Sequence, residues 1–101
     1  MSLRHKYRAV RVERDGYKFS SKKERTRYDE LVLLKNAGEV LFFMLQPPFY
    51  MPGVKYVADF MVFWADGTVT VEDVKGMLTP TYKSKKRMMA VHYPHVEIQE
   101  I

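Results

Sequence analysis

Apolar residues recur along this chain with two different periods, and the points where the period changes mark its elements. Tyr28, Leu31, Val32 and Leu34 or Ala37 fall on one stripe at helical spacing. Ser20-Ser21 ahead of Lys22-Lys23-Glu24 has the layout of a capping box, and Gly38 supplies the residue tolerant of positive φ that ends a helix. These signals predict a first helix from Ser21 to about Asn36. The β-branched and aromatic residues between Glu39 and Met44 predict a core strand, stopped by Gln46-Pro47-Pro48. Tyr56 to Trp64 and Thr68 to Val74 flank Ala65-Asp66-Gly67, the pattern of an antiparallel hairpin. Thr79-Pro80 places a capping hydroxyl before a proline at the first helical position and opens a basic helix to about His92, with Pro94 beyond its end. Val96 to Ile101 alternates at first and predicts a last strand. Upstream, Tyr7, Ala9 and Arg11 alternate with Arg8, Val10 and Val12, which reads as a short edge strand or an arm, followed by a turn at Asp15-Gly16.

The predicted order is αβββαβ with an N-terminal edge strand or arm, an α/β (α+β) arrangement in which a mixed sheet of about four strands is flanked by helices. With 101 residues the chain has material for one core rather than two. We therefore expect a single domain over 1–101, with residues 1–16 as its basic N-terminal segment. No apolar run approaches the roughly 20 residues of a membrane-spanning helix, so no membrane partner is expected. Cysteine is absent, which excludes disulfides and thiolate metal sites and leaves oxygen or imidazole as the only ligands for a divalent ion. The opening Met-Ser-Leu-Arg-His lacks the features of a secretion signal, and the expected compartment is the cytosol.

Seventeen Lys and Arg against twelve Asp and Glu give a formal charge of +5, which favours a polyanionic partner without naming it. The naming has to come from local arrangement. On the predicted second strand Val57, Asp59, Met61 and Phe63 share a face, and on the third Val69, Val71, Asp73 and Lys75 do. Both faces are mostly apolar, so charged residues are out of place there unless they serve a purpose. Asp73 and Lys75 alone fit an ordinary ion pair at a strand end. Asp59, on the paired strand, adds a second carboxylate to the same volume, and two close carboxylates call for a cation or a shared proton. A hard divalent ion such as Mg²⁺ prefers oxygen ligands of this kind. Lys75 beside it would stabilise charge on a phosphoryl oxygen or position a water, which together make a set for phosphodiester hydrolysis. Glu72 competes with Asp73 for the second acid, but only Asp73 shares a face with Lys75.

Asp59, the hairpin, and Val71-Glu72-Asp73-Val74-Lys75-Gly76 resemble the motif of PD-(D/E)XK nucleases. Ala58 stands where that family commonly has proline before the first acid. The likeness runs from Tyr17-Lys18-Phe19-Ser20-Ser21-Lys22-Lys23-Glu24 to the final strand, and is nearest to endonuclease I-type phage Holliday junction resolvases and related small phage and prophage proteins. The resemblance implies a restriction-endonuclease-like core, dependence on Mg²⁺ or Mn²⁺, cleavage of DNA that includes branched junctions, a homodimer, and a phage or prophage gene expressed in a bacterial cytoplasm. On this reading Asp59, Asp73 and the Val74 carbonyl bind the metal, Glu24 contributes directly or through water, and Lys75 completes the catalytic set.

Glu24 has a competing role as the capping-box partner of Ser21, although its spacing to Tyr28 and Leu31 puts it on the core-facing stripe. Gln46 is a candidate for orienting water or phosphate, against the alternative of an amide that satisfies loop backbone. Lys83, Lys85, Lys86 and Arg87 follow the motif and are candidate phosphate contacts, with Lys22, Arg8, Arg11, Lys6 and Arg14 extending the grip. His5, His92 and His95 have no spacing that makes a zinc site or a catalytic base. Trp64, Phe49 and Tyr50 are candidates for an exposed dimer surface. Two rival functions stay open at this level: a restriction or repair nuclease acting on ordinary duplex, and a basic nucleic-acid-binding module whose acids are structural.

Overall fold

Ser21 and Gly38 bracket the first helix as their chemistry dictates. In the computed structural model of the chain, which describes residues 12–75 and 78–101, α1 spans Lys22–Asn36. The Ser21 side chain accepts the Glu24 amide hydrogen, and Gly38 turns the chain out of the helix at φ 83°. Ahead of α1, β1 (Val12–Arg14) and β2 (Tyr17–Phe19) form a small hairpin around Asp15 and Gly16, both in the left-handed region. Of the expected edge strand or arm the structure describes only the end, β1, which pairs with β2 rather than with the main sheet. Lys6, Arg8, Arg11 and the arm before Val12 lie outside the described residues.

β3 (Val40–Leu45), β6 (Phe60–Trp64), β7 (Val69–Asp73) and β8 (Ile98–Glu100) make a four-stranded mixed sheet in the order β3-β6-β7-β8. β6 pairs antiparallel with both β3 and β7, whereas β8 joins β7 in parallel, because α2 (Pro80–His92) carries the chain back between them. The β6–β7 hairpin closes at Ala65-Asp66-Gly67 with Gly67 at φ 92° and the Asp66 carboxylate accepting from the Thr68 amide at 2.9 Å. Thr79 caps α2 by accepting from the Tyr82 amide at 3.1 Å. The architecture is therefore α+β, with the expected sheet and both expected helices.

One expected strand is interrupted. The strand predicted over Tyr56 to Trp64 is broken at Ala58-Asp59, and its first part, β5 (Val54–Val57), pairs with β4 (Pro48–Met51) in a separate hairpin. Ala58 donates its amide to the Pro47 carbonyl, and Asp59 donates to the Glu72 carbonyl. The backbone changes partner between these two residues, so one straight strand cannot satisfy both bonds.

Apolar side chains fill both sides of the sheet. Leu31 and Tyr28 of α1 pack with Phe19, Val40, Phe60 and Val62 on one face. Met89 and Tyr82 of α2 pack with Val71, Ala58, Tyr56 and the hairpin residues Phe49 and Met51 on the other. Phe49 is buried here, contrary to its expected place on a dimer surface, because alternation along β4 turns it inward and leaves Tyr50 67% exposed. Trp64 is half-buried with its indole N–H donated to Thr70 Oγ1 at 2.8 Å, so it is not a free surface aromatic either. Phe42, Met44 and Val69 remain as an exposed apolar strip on the α2 side of the sheet. No helix among the described residues is long and apolar enough to cross a membrane.

Glu72 faces α1 from within β7, and Arg27 meets it with two parallel bonds, Nε to Oε1 at 2.7 Å and Nη2 to Oε2 at 2.6 Å. Glu72 is 2% exposed. Removing one partner strands a buried charge, so Arg27→Ala is expected to lower the unfolding free energy by about 3 to 5 kcal/mol. Arg14→Ala, at the exposed Arg14–Asp29 pair of 3.5 Å, should change it by less than about 1 kcal/mol. Denaturant unfolding of the two variants tests the contrast, which equal losses would contradict.

Candidate active site

Asp73 ends β7, and period-two alternation points it to the opposite face from Glu72, toward α2. This is the separation expected from the sequence: Arg27 takes Glu72, and Asp73 remains for the site. Asp73 is 2% exposed, with Oδ1 3.0 Å from Lys75 Nζ and Oδ2 accepting a hydrogen bond from the Tyr56 hydroxyl. Lys75 Nζ also lies 4.2 Å from the centroid of the Tyr82 ring, which holds the ammonium between a carboxylate and a π-face. Main-chain bonds fix the segment on both sides. Ile101 donates its amide to the Asp73 carbonyl at 3.0 Å, and Lys23 Nζ donates to the Lys75 carbonyl at 3.1 Å.

Asp59 occupies the bend between β5 and β6, where the broken strand brings it beside the end of β7. Its carbonyl accepts from Gln46 N–H at 2.9 Å, its amide donates to Glu72, and its Oδ2 accepts from the Val74 amide at 2.7 Å. The Asp73 carboxylate lies close enough to act on the ionisation of Asp59. Burial, the largest cause, pushes the Asp59 carboxyl up to about 8; the Val74 amide opposes the rise, and repulsion from Glu24 and Asp73 adds to it.

Glu24 sits in the first turn of α1, 4% exposed. The expected capping box forms by halves: Ser21 accepts from the Glu24 amide, but Glu24 Oε1 returns to Ser20, accepting from its amide at 3.0 Å and its hydroxyl at 2.7 Å. The same carboxylate lies close enough to Asp59 to repel it. Glu24, Asp59 and Gln46 line a pocket of about 170 Å³ with Phe19 and Leu45 as its apolar wall and Lys18 contributing a cation. Gln46 is exposed, with φ 51°, so it is not an amide buried to satisfy a loop; only its main chain is bonded to Asp59.

Five expected residues, Glu24, Gln46, Asp59, Asp73 and Lys75, are thus assembled at one end of the sheet. Val74 is there too, although the group it directs at Asp59 is its amide N–H rather than the carbonyl expected to bind metal. The cations expected to hold DNA are scattered. Lys22 is exposed at the start of α1, Lys83 and Arg87 are exposed on α2, and Lys86 is tied to Glu100 Oε2 at 3.0 Å. His92 and His95 are exposed. Sequence reasoning missed Tyr56 and Tyr82, which look like core aromatics; the one available signal was that a buried tyrosine hydroxyl normally seeks a partner.

Whether these residues suit a divalent ion follows from their donor atoms. Three carboxyl groups, from Glu24, Asp59 and Asp73, crowd a volume in which the Lys75 ammonium is the cation bonded to one of them, and burial and this crowding push the Asp59 pKa up. No group of three acidic or histidine side chains among the described residues is arranged to hold an ion by itself. Mg²⁺ commonly uses one or two carboxylates and fills its other positions with water and phosphate oxygens, and the Asp59–Asp73 pair fits that requirement.

The family described as Protein of unknown function (DUF1064) matches residues 4–101. No curated protein and no solved structure matches the chain.

Because the Asp59 carboxyl of the folded chain titrates near pH 8 and that of the unfolded chain near about pH 4, the folded state binds the extra proton between these values. Stability therefore falls as pH rises from about 4 to about 8 and is level above. Thermal melts of the metal-free protein should show this decline, and Asp59→Asn should remove it; a slope that is the same in both proteins contradicts the assignment.

Proposed function

We propose that this chain, which belongs to the DUF1064 family, is a divalent-metal-dependent endonuclease that hydrolyses phosphodiester bonds in DNA. The observation that carries the reading is the meeting of Asp59 and Asp73 beside Lys75, with Glu24 behind them, at the open end of a mixed sheet. Buried acids this close repel one another, which raises the Asp59 pKa despite its bond from the Val74 amide, whereas Glu72 is matched on both oxygens by Arg27. Asp59 and Asp73 would hold the ion, with Glu24 placed to act through water. A bound Mg²⁺ or Mn²⁺ supplies Lewis acidity to a phosphoryl oxygen and lowers the pKa of a coordinated water.

The chain's own groups have separate tasks. Tyr56 donates to Asp73 and fixes its rotamer, so that one carboxylate oxygen is oriented while the other faces Lys75. The Lys75 ammonium, held against Tyr82, is placed to donate to a phosphate oxygen or to the attacking water. Gln46, exposed at the pocket mouth, can meet the same water or phosphate. The net charge of +5 draws a polyanion toward the site.

Branched DNA is the substrate we favour, on the resemblance to junction resolvases, and the proposal extends to a homodimer that makes paired cuts. Restriction or repair cleavage of plain duplex is the alternative within the same chemistry. The basic-module reading accounts for the charge but leaves the carboxylate cluster without a role.

Linear duplex, flap and four-way substrates incubated with Mg²⁺ or Mn²⁺ test the proposal. Cleavage is expected with either ion and none with chelator, and Asp59→Ala, Asp73→Ala or Lys75→Ala should lower the rate by roughly 10²- to 10³-fold. Preference for the four-way substrate supports the resolvase, and preference for duplex supports the alternative. DNA left intact under every condition would refute the enzyme.

A further inference from the structure

Lys75 also lines a second pocket, of about 360 Å³, between the β4–β5 hairpin and the first turns of α2. The buried rings of Tyr56 and Tyr82 line this pocket too, with centroids 6.3 Å apart. Lys55 of β5 and Lys85 of α2 contribute two more cations. Among the described residues no carboxylate lines the pocket, and neither Lys55 nor Lys85 has an acidic partner. Thr79 and Thr81 add hydroxyls; Thr79 Oγ1 accepts from the Tyr82 amide, which leaves its own hydrogen available to donate.

The backbone that carries these groups is braced. Tyr93, which caps the C-terminus of α2, donates its hydroxyl to the Tyr50 carbonyl at 2.8 Å, and its ring packs edge-on against Phe49 at 5.3 Å. Lys55 and Lys85 therefore stand on two elements fixed to each other. Three ammonium groups gathered around one pocket, with only Lys75 compensated by Asp73, repel each other and attract an anion. Ammonium and hydroxyl donors together are the groups that contact phosphate oxygens. The remaining cations of α2 serve elsewhere: Lys83, Lys86 and Arg87 line a different hollow together with Glu100.

Resting on the reading of DNA as substrate, we infer that the Lys55–Lys75–Lys85 pocket binds a backbone phosphate next to the one presented to Asp59 and Asp73. The strand then passes between the β4–β5 hairpin and α2, and Lys75, shared by both places, fixes the spacing from anchor to cut. The anchor gives the strand one direction across the site. Lys55, from a hairpin outside the central sheet, belongs to the DNA-contacting surface on this basis, whereas Lys86 does not.

The test measures DNA binding by fluorescence anisotropy in chelator, where no cleavage occurs, over a series of salt concentrations. Lys55→Ala and Lys85→Ala should each reduce the slope of log affinity against log salt, and the double variant should reduce it by about 0.7 to 0.9, the share of one phosphate. Lys35→Ala, at the far end of α1, should leave it unchanged. Inorganic phosphate should displace DNA only at concentrations far above those of a competing oligonucleotide. Unchanged slopes in both pocket variants, an equal drop for Lys35→Ala, or inorganic phosphate competing as well as the oligonucleotide would each overturn the inference. Because binding is read without metal, loss of slope in a protein that never cuts DNA sinks the nuclease and keeps the pocket; normal cutting with unchanged slopes does the reverse.

Discussion

Two consecutive residues of β7, Glu72 and Asp73, bury carboxylates on opposite faces of the same sheet, and the layout of the molecule follows from how each is compensated. A buried carboxylate persists in ionised form only where donors or cations surround it. On the α1 side the guanidinium of Arg27 matches Glu72 with two bonds, so that acid is spent on joining helix to sheet. On the α2 side Asp73 receives one phenol and one ammonium, and the Asp59 carboxyl presses against it. The first arrangement is closed. The second leaves negative charge in excess, which is the condition a divalent cation satisfies.

The break at Ala58-Asp59 makes this possible. A strand continuing straight from β5 into β6 would carry Asp59 along one face, fixed by alternation. Instead Asp59 sits in a bend whose main chain is bonded to Gln46 on one side and Glu72 on the other, and its side chain turns across the strand ends toward Val74. Groups from both layers can then meet: Glu24 from α1, and Tyr56 and Tyr82 from the α2 side. The open end of the sheet is where the two faces cease to be separate.

Much of this was legible in the sequence because short-range rules decide it. Ser21, Gly38, Gly67 and Thr79 act within a few residues of themselves, and they placed both helices and the β6–β7 turn correctly. Alternation within one strand likewise separated Glu72 from Asp73. What escaped prediction depends on partners distant in the chain. The β4–β5 hairpin turns at Pro52-Gly53, which is a local signal, but the break at Ala58-Asp59 is made by bonds to the Pro47 and Glu72 carbonyls, more than ten residues away. Phe49 was misassigned for the same reason, since its burial comes from Tyr56 and Tyr93, which only the tertiary fold brings near. Tyr56 carries no local mark of its bond to Asp73, 17 residues away.

The basic surface repeats this distinction between composition and placement. Read along the chain, Lys83 to Arg87 form one positive block; in space the helix divides it. Lys86 is neutralised by Glu100, whose Oε2 also accepts from Tyr82, so that lysine steadies the ring on which Lys75 rests. Lys85 projects instead toward Lys75 and Lys55. Charge that looks interchangeable in the sequence therefore falls into two kinds, one that holds the Tyr82–Glu100 support in position and one left uncompensated at the rim of the site. On the proposed reading, the +5 net charge sets how strongly a polyanion is drawn to the protein, and the geometry of these few lysines around Tyr82 would determine where its phosphates come to rest.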